Sequence, residues 1–300
     1  MIYTVTFNPA IDYVVKTGSL KPGSVNRTEK EQIFFGGKGI NVSIILKELG
    51  IDSKALGFVA GFTGSAIEEG IKSQGISTDF VHLDSGFSRI NVKIRSDEET
   101  ELNGQGPVIN EQSINELFKK LNALESGDIL VLAGSIPNTL PDDIYKKIIC
   151  HLDGKGIRFV VDATKSLLLN VLKYKPFLIK PNNFELEDIF NVKLNSTDDI
   201  ITYAKKLKEL GACNVLVSRA ENGAILIDDE DNIHIIGAPQ GQVLNSVGAG
   251  DSMLAGFIAG FTSKNSYEYS LKLGTAAGSA TAFSEGLADK KLISEILETL

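Results

Sequence analysis

Four short runs constrain the fold of this 300-residue chain more than any other feature: DILVLAG (128–134), RFVVDA (158–163), FLIKPN (177–182) and NVLVS (214–218). Each is apolar along most of its length rather than at alternate positions. A strand with no wet face is covered on both sides, which points to a mostly parallel sheet. IYTVTF (2–7) and KALGFV (54–59) read as two further strands. Helix-like segments separate them. NVSIILKEL (41–49) stops at Gly50, SAIEEGIKSQ (65–74) stops at Gly75, and Pro141 opens DDIYKKIICHL (142–152) from the favoured first turn. TDDIITYAKKLKELG (197–211) has a capping threonine, an acidic first turn and a terminal glycine. AILI (224–227) and IHII (233–236) flank the acidic turn DDEDN and predict a hairpin. The last third is helical through GFIAGF, YSLKLGTAAGSATAF and KLISEIL. This alternation predicts an α/β chain with helices on both faces of the sheet.

Two segments break the rhythm. Residues 11–35 and 88–104 alternate apolar and polar positions with no helix between them, as strands with one wet face do. They predict a small antiparallel sheet standing off the main one as a lid. No Pro/Ser linker, repeat or low-complexity tract divides the chain, so one domain over 1–300 is expected.

The totals exclude several classes. A net charge of −8 provides no basic excess for phosphate backbones, which argues against nucleic-acid binding. Any anionic ligand must then be met by a few particular Lys and Arg residues. Cys150 and Cys213 form no CxxC or Cys/His cluster and are expected as buried thiols. No apolar run reaches the ~20 residues a bilayer requires. MIYTVTFNPAID lacks the basic start and long apolar stretch of a signal peptide, so a cytoplasmic protein without a membrane partner is expected.

Two glycine loops carry the chemistry. NSVGAGDSMLAGF (245–257) places Gly248 and Gly250 around Ala249, then Asp251, then an apolar helix. A dinucleotide fingerprint requires a third glycine where Met253 stands, and the P-loop string G-x4-G-K-[ST] occurs nowhere. Two readings remain. Asp251 either serves the helix dipole, or it is a base beside an anion hole built from amides at 248–251. A helix N-terminus lowers a carboxylate's pKa, which would make Asp251 a poorer base; phosphoryl transfer tolerates this because the acceptor proton moves late. FFGGKGINVS (34–43) surrounds Lys38 with glycines just before a helix, either as a tight turn or as a loop that approaches a polar ligand.

Taken together, GGKGIN near residue 40 and SVGAGDS near residue 250 resemble the PfkB-type, ribokinase-like carbohydrate kinases, and the resemblance runs the length of the chain. It implies a ribokinase-like three-layer fold with a mostly parallel central sheet and a small antiparallel β lid. It also implies ATP and Mg²⁺ as cofactors. The string KPNNFE (180–185) matches the family's Asn-x-x-Glu element, here Asn182 and Glu185, which organises magnesium largely through water. Lys180 would meet the nucleotide. AGSIPNTLP (133–141) makes Ser135 a substrate-side candidate. SRAENGA (218–224) occupies the nucleotide loop and matches it at Ser218 and Gly223, with Ala220 replacing the first glycine.

TFNPAID (6–12), GGKGINVS and SRINVKI (88–94) resemble the phosphofructokinase branch of that family. The resemblance then implies a sugar-phosphate kinase, with fructose 1-phosphate phosphorylated to fructose 1,6-bisphosphate. Tagatose 6-phosphate or fructose 6-phosphate are alternative substrates, and a non-catalytic sensor is a rival reading. In this reading Asp251 is the base, with Gly248, Ala249 and Gly250 at the phosphoryl group. Gly250 would also meet ATP. Asp12, Gly36, Gly37, Lys38, Asn41 and Arg89 would hold the sugar phosphate, with Arg27 a further phosphate candidate. The resemblance also implies a homodimer through the lid, which the exposed strands at 11–35 and 88–104 would suit. The acidic runs at 97–101 and 228–231 are expected as solvated hairpin tips.

Overall fold

Strands Ile129–Ala133 and Arg158–Asp162 lie side by side near the centre of a ten-stranded sheet, with Val131 opposite Val160. The structure, a computed structural model, describes residues 1–137 and 139–300. Leu178–Ile179 and Asn214–Ser218 continue the sheet on one side. Ile2–Thr6, Ser53–Ala60 and the short strands Ser77–Thr78 and Val81–Leu83 continue it on the other. All these pairings are parallel. Only the hairpin Ala224–Ile227 and Ile233–Ile236 adds antiparallel strands, at one edge.

Alternate side chains of each central strand enter different cores. Leu130 and Leu132 face helices that supply Leu117, Ile148, Leu168, Leu186 and Leu207, whereas Ile129 and Val131 face helices that supply Ile45, Leu254, Phe257, Leu271 and Ile293. Fully burying each such side chain contributes roughly 1.5–3 kcal/mol. Covering both faces therefore requires the unbroken apolar strands seen in the sequence.

The second sheet has four strands in the order Lys30–Gly36, Ala10–Lys16, Arg89–Arg95, Glu99–Asn103. It consists of two antiparallel hairpins joined through a parallel central pair. The register aligns Phe34, Asp12, Asn91 and Asn103 across one face. Ile33, Tyr13, Val92 and Leu102 align across the other.

Several local expectations are corrected. Helices Glu111–Leu121, Lys165–Leu172 and Asn183–Phe190 were not read as elements in the sequence. Pro141 precedes its helix, Ile144–His151, instead of opening it. Ser196, and not the threonine after it, caps Thr197–Glu209 by accepting from the Asp199 amide. FLIKPN keeps only two strand residues, because Pro181 lacks an amide to continue the ladder. Cys150, in the last turn of helix Ile144–His151, is exposed, and Cys213, in the turn before strand Asn214–Ser218, is partly so. Asp228 is buried rather than solvated: the amides of Glu230 and Asn232 and the His234 ring turn the hairpin tip around its carboxylate.

Candidate active site

The carboxyl ends of the parallel strands, the usual ligand end of an open α/β sheet, open into a cavity of about 990 Å³. Helix Ala249–Lys264 points its N-terminus into it. Gly248 caps that helix with φ 82°, a left-handed conformation that favours glycine, and no side chain caps the first turn. The first-turn amides therefore lack intrahelical acceptors. Ala249 N–H reaches Ser246 O at 3.3 Å, but those of Gly250 and Asp251 have no backbone partner among the described residues. Of the amides expected at 248–251, only that of Ala249 has an acceptor among the described residues.

Asp251 is 6% exposed, and its Oδ2 accepts from Asn41 Nδ2 at 2.8 Å. Burial, joined by the negative charge of Asp162, pushes its pKa up to about 6 against Lys38, the Asn41 hydrogen bond and Lys180. This corrects the expectation of a lowered value. Tertiary burial outweighs the helix terminus here and leaves a carboxyl suited to general-base work near neutrality.

Asp162 ends the central strand Arg158–Asp162 and is 1% exposed. Lys38 Nζ stands 3.3 Å from its Oδ1 and Lys180 Nζ 3.4 Å from its Oδ2. Burial opposes ionisation of Asp162, but the two ammonium groups outweigh it and hold the carboxyl below its ordinary value. For Lys38, burial opposes the charged form, yet Asp162, Asp251 and Glu185 overcome it and raise the pKa. Sequence reasoning missed Asp162. Its one signal is an acid closing an otherwise apolar strand.

The small sheet closes one side of the cavity. Asp12, Gly37, Lys38, Asn41 and Arg89 all line it. Gly36 lies just behind: a Cβ there would stand 3.0 Å from Asp12 Oδ2 and 3.5 Å from Asn41 Oδ1. Arg89 Nε donates to Asn8 O at 3.0 Å, and burial lowers its pKa against the pull of Asp12. Ser135 lines an adjoining cavity of about 230 Å³, which Gly37, Lys38, Arg89 and Asp162 share. Arg27 is not brought to either cavity; it sits in the exposed loop between the first two strands of the small sheet. Asn91 and Lys93 line the main cavity and were not assigned from the sequence, although both lie in SRINVKI.

Lys180, Asn182, Glu185, Ser218 and Gly223 line the opposite wall. Asn182 and Glu185 form a reciprocal cap on helix Asn183–Phe190: Glu185 N–H donates to Asn182 Oδ1 at 2.8 Å, and Asn182 N–H to Glu185 Oε2 at 2.9 Å. The pair thus caps the helix, and Glu185 Oε1 makes no hydrogen bond among the described residues. Ala220, the departure from the family's glycine, adopts φ 47°. The loop keeps a glycine-like backbone without the glycine.

The pfkB family carbohydrate kinase model matches residues 3–293. The 1-phosphofructokinase of Bacillus subtilis is 43% identical over 99% of this chain and 97% of its own length. A D-tagatose-1-phosphate kinase of Bacillus licheniformis is 41% identical over 96% of this chain and 95% of its own. Among solved structures, the phosphofructokinase-2 of Escherichia coli in complex with substrates and products superposes with a TM-score of 0.94 at 28% identity, covering 100% of this chain and 99% of that one. The motifs, the two-sheet architecture and these relatives agree: the chain belongs to the pfkB family of carbohydrate kinases.

Proposed function

We propose that the chain transfers the terminal phosphoryl group of ATP to the C6 hydroxyl of fructose 1-phosphate, giving fructose 1,6-bisphosphate and ADP. The observation that carries this reading is Asp251, a buried carboxyl with a raised pKa beside two unpartnered helix amides, in a cavity that also holds Lys38 and Lys180. The relatives named for 1-phosphofructokinase activity support the choice of sugar.

In this reading the C6 oxygen forms the new bond to phosphorus as the bond to the leaving ADP oxygen breaks. The C6 proton passes to Asp251. The amides of Gly250 and Asp251 stabilise charge on the transferring group, and Gly248 supplies the left-handed turn that presents them. Asp12, Gly36, Gly37 and Asn41 hold the sugar. Lys38 and Arg89, with Ser135 in the adjoining cavity, take its phosphate. Lys180, Ser218 and Gly223 line the nucleotide's path.

The Asn182–Glu185 pair fits magnesium held through water, because Glu185 keeps one oxygen uncommitted. Bound there, magnesium would neutralise charge across the phosphates. Closure of the small sheet would exclude water.

Tagatose 1-phosphate is the second reading, because relatives named for it reach 41% identity. It replaces tagatose 6-phosphate as the rival sugar. ADP release with ATP and each of fructose 1-phosphate, tagatose 1-phosphate and fructose 6-phosphate decides among them. Fructose 1-phosphate is expected to give the highest kcat/KM; a tenfold deficit against either other sugar overturns the choice.

A homodimer through the small sheet belongs to the same proposal. Ile33 and Leu102, 58% and 60% exposed, leave its outer face apolar. No helix among the described residues is long and apolar enough to cross a membrane, in keeping with a cytoplasmic kinase.

A further inference from the structure

Asn91 is 6% exposed on a sheet whose outer face is largely open. Its Nδ2 donates to Asp12 Oδ1 at 2.7 Å, and its Oδ1 accepts from the Gly104 amide at 3.2 Å. It therefore joins two neighbouring strands of the small sheet to the chain leaving its far edge. The hydrogen bond leaves Asp12 Oδ2 for other work. That oxygen and Asn41 Oδ1 both converge on the bare α-carbon of Gly36, and Asn41 turns its amide nitrogen to Asp251. A polar series thus runs from the small sheet to the reacting carboxyl: Asn91, Asp12, Asn41, Asp251.

We propose that Asn91 is the positioning residue of the acceptor-sugar site: it fixes Asp12 through one oxygen so that the other can accept a sugar hydroxyl beside Asn41. This rests on the sugar-phosphate kinase reading above. The chemistry favours an amide at position 91. Asn91 donates to the carboxylate and accepts from the amide at the same time. An apolar residue would leave Asp12 free to rotate, and a carboxylate would repel it. The charged groups around position 91 are Asp12 on the neighbouring strand, Arg89 and Lys93 on its own strand, and Glu101 across the hairpin, paired to Lys93 at 3.3 Å.

Two variants test the role, with ATP and whichever sugar phosphate the wild type turns over. Failure of the sugar assignment would then appear in the wild type and failure of the Asn91 proposal only in the variants. Asn91→Ala is expected to raise the sugar-phosphate KM at least tenfold, with the ATP KM changed less than twofold. Asn91→Asp is isosteric and keeps the test open if the alanine variant does not fold. Its carboxyl can donate to Asp12 only while protonated, since two carboxylates so close repel. The ratio of its sugar KM to that of wild type is therefore expected to climb as pH rises from 5 to 8, taking ~tenfold as the scale. Taking the ratio cancels titration of the substrate's own phosphate. A sugar KM within twofold of wild type in Asn91→Ala overturns the proposal. So does a pH-independent ratio in Asn91→Asp, or equal changes in the KM of both substrates.

Discussion

Asn41 Nδ2 lies 2.8 Å from Asp251 Oδ2, and this hydrogen bond joins the two glycine loops. It favours the ionised carboxylate, yet burial and the charge of Asp162 prevail and push the pKa of Asp251 up to about 6. A substrate phosphate titrates near the same pH, so a rate profile would mix the two. The clean measurement is carbon-13 NMR of the Asp251 carboxyl in the substrate-free protein. A midpoint near 6 is expected; one at or below 4 sinks the assignment.

The same shift has a thermodynamic sign. The folded-state pKa lies above the ordinary 3.8, so the native state holds this proton more tightly than the unfolded chain does. Ionised Asp251 therefore costs stability as pH rises from about 4 to about 6, and the full cost stands above that. A shift of about two units corresponds to about 3 kcal/mol. Asp251→Asn should then be more stable than wild type at pH 8, on the order of 2–3 kcal/mol, and no more stable at pH 4. Its kcat should fall about 10²- to 10⁴-fold. Denaturant unfolding at the two pH values checks the first point, and equal stability differences at both would reject it.

Much of this was legible in the sequence, for identifiable reasons. DILVLAG and RFVVDA read correctly because a strand buried on both faces has to be apolar throughout. SVGAGDS and GGKGIN read correctly as glycine turns entering helices, because bare backbone at a helix start leaves a trace in the sequence. The Lys38–Asp162–Lys180 cluster was not legible, because it depends on strand order. Asp162 and Lys180 are neighbours only because Arg158–Asp162 pairs with Leu178–Ile179, and Lys38 arrives from a helix more than a hundred residues away. The raised pKa of Asp251 was misjudged for a related reason. The helix terminus is local and visible in the sequence, whereas the burial that outweighs it comes from elements distant in the chain.

Gly250 separates stability from catalysis. Its backbone is ordinary helix, and a Cβ there would stand 3.3 Å from Lys180 Nζ, the movable end of a side chain. Gly250→Ala should fold at close to wild-type stability or slightly above, by up to about 1 kcal/mol, because alanine favours helix. The methyl group would intrude where the anion approaches the amides, so kcat should fall at least tenfold if Gly250 N–H is worth a typical oxyanion donor of roughly 3 kcal/mol. An alanine variant with unchanged kcat would remove Gly250 from the phosphoryl site.

Lys180 is 5% exposed and is the nearest cation to Asp162 Oδ2, an oxygen without a hydrogen bond among the described residues. Lys180→Met would leave Asp162 with Lys38 alone. Breaking a buried pair in this way costs about 3–5 kcal/mol. The loss should be greatest above the ordinary carboxyl range, because the lowered pKa of Asp162 means that its ionised form contributes stability there, and that contribution disappears as pH falls. Urea midpoints at pH 7 and pH 4 measure the difference; a loss larger at pH 4 contradicts the pairing.

Ala220 offers a prediction in the stabilising direction. Its φ of 47° is left-handed, which costs a residue with a Cβ roughly 1–2 kcal/mol. Glycine would remove that strain while adding freedom to the unfolded chain, an opposing effect of about 0.4–1 kcal/mol. Ala220 is exposed, so little packing is lost with its methyl. The net for Ala220→Gly is a gain of about 0.5–1 kcal/mol, or roughly 1–3 °C in Tm. The loop's shape is already the one glycine would adopt, so the ATP KM should stay within about twofold. A lower Tm for the variant would mean that the left-handed turn at Ala220 is not strained.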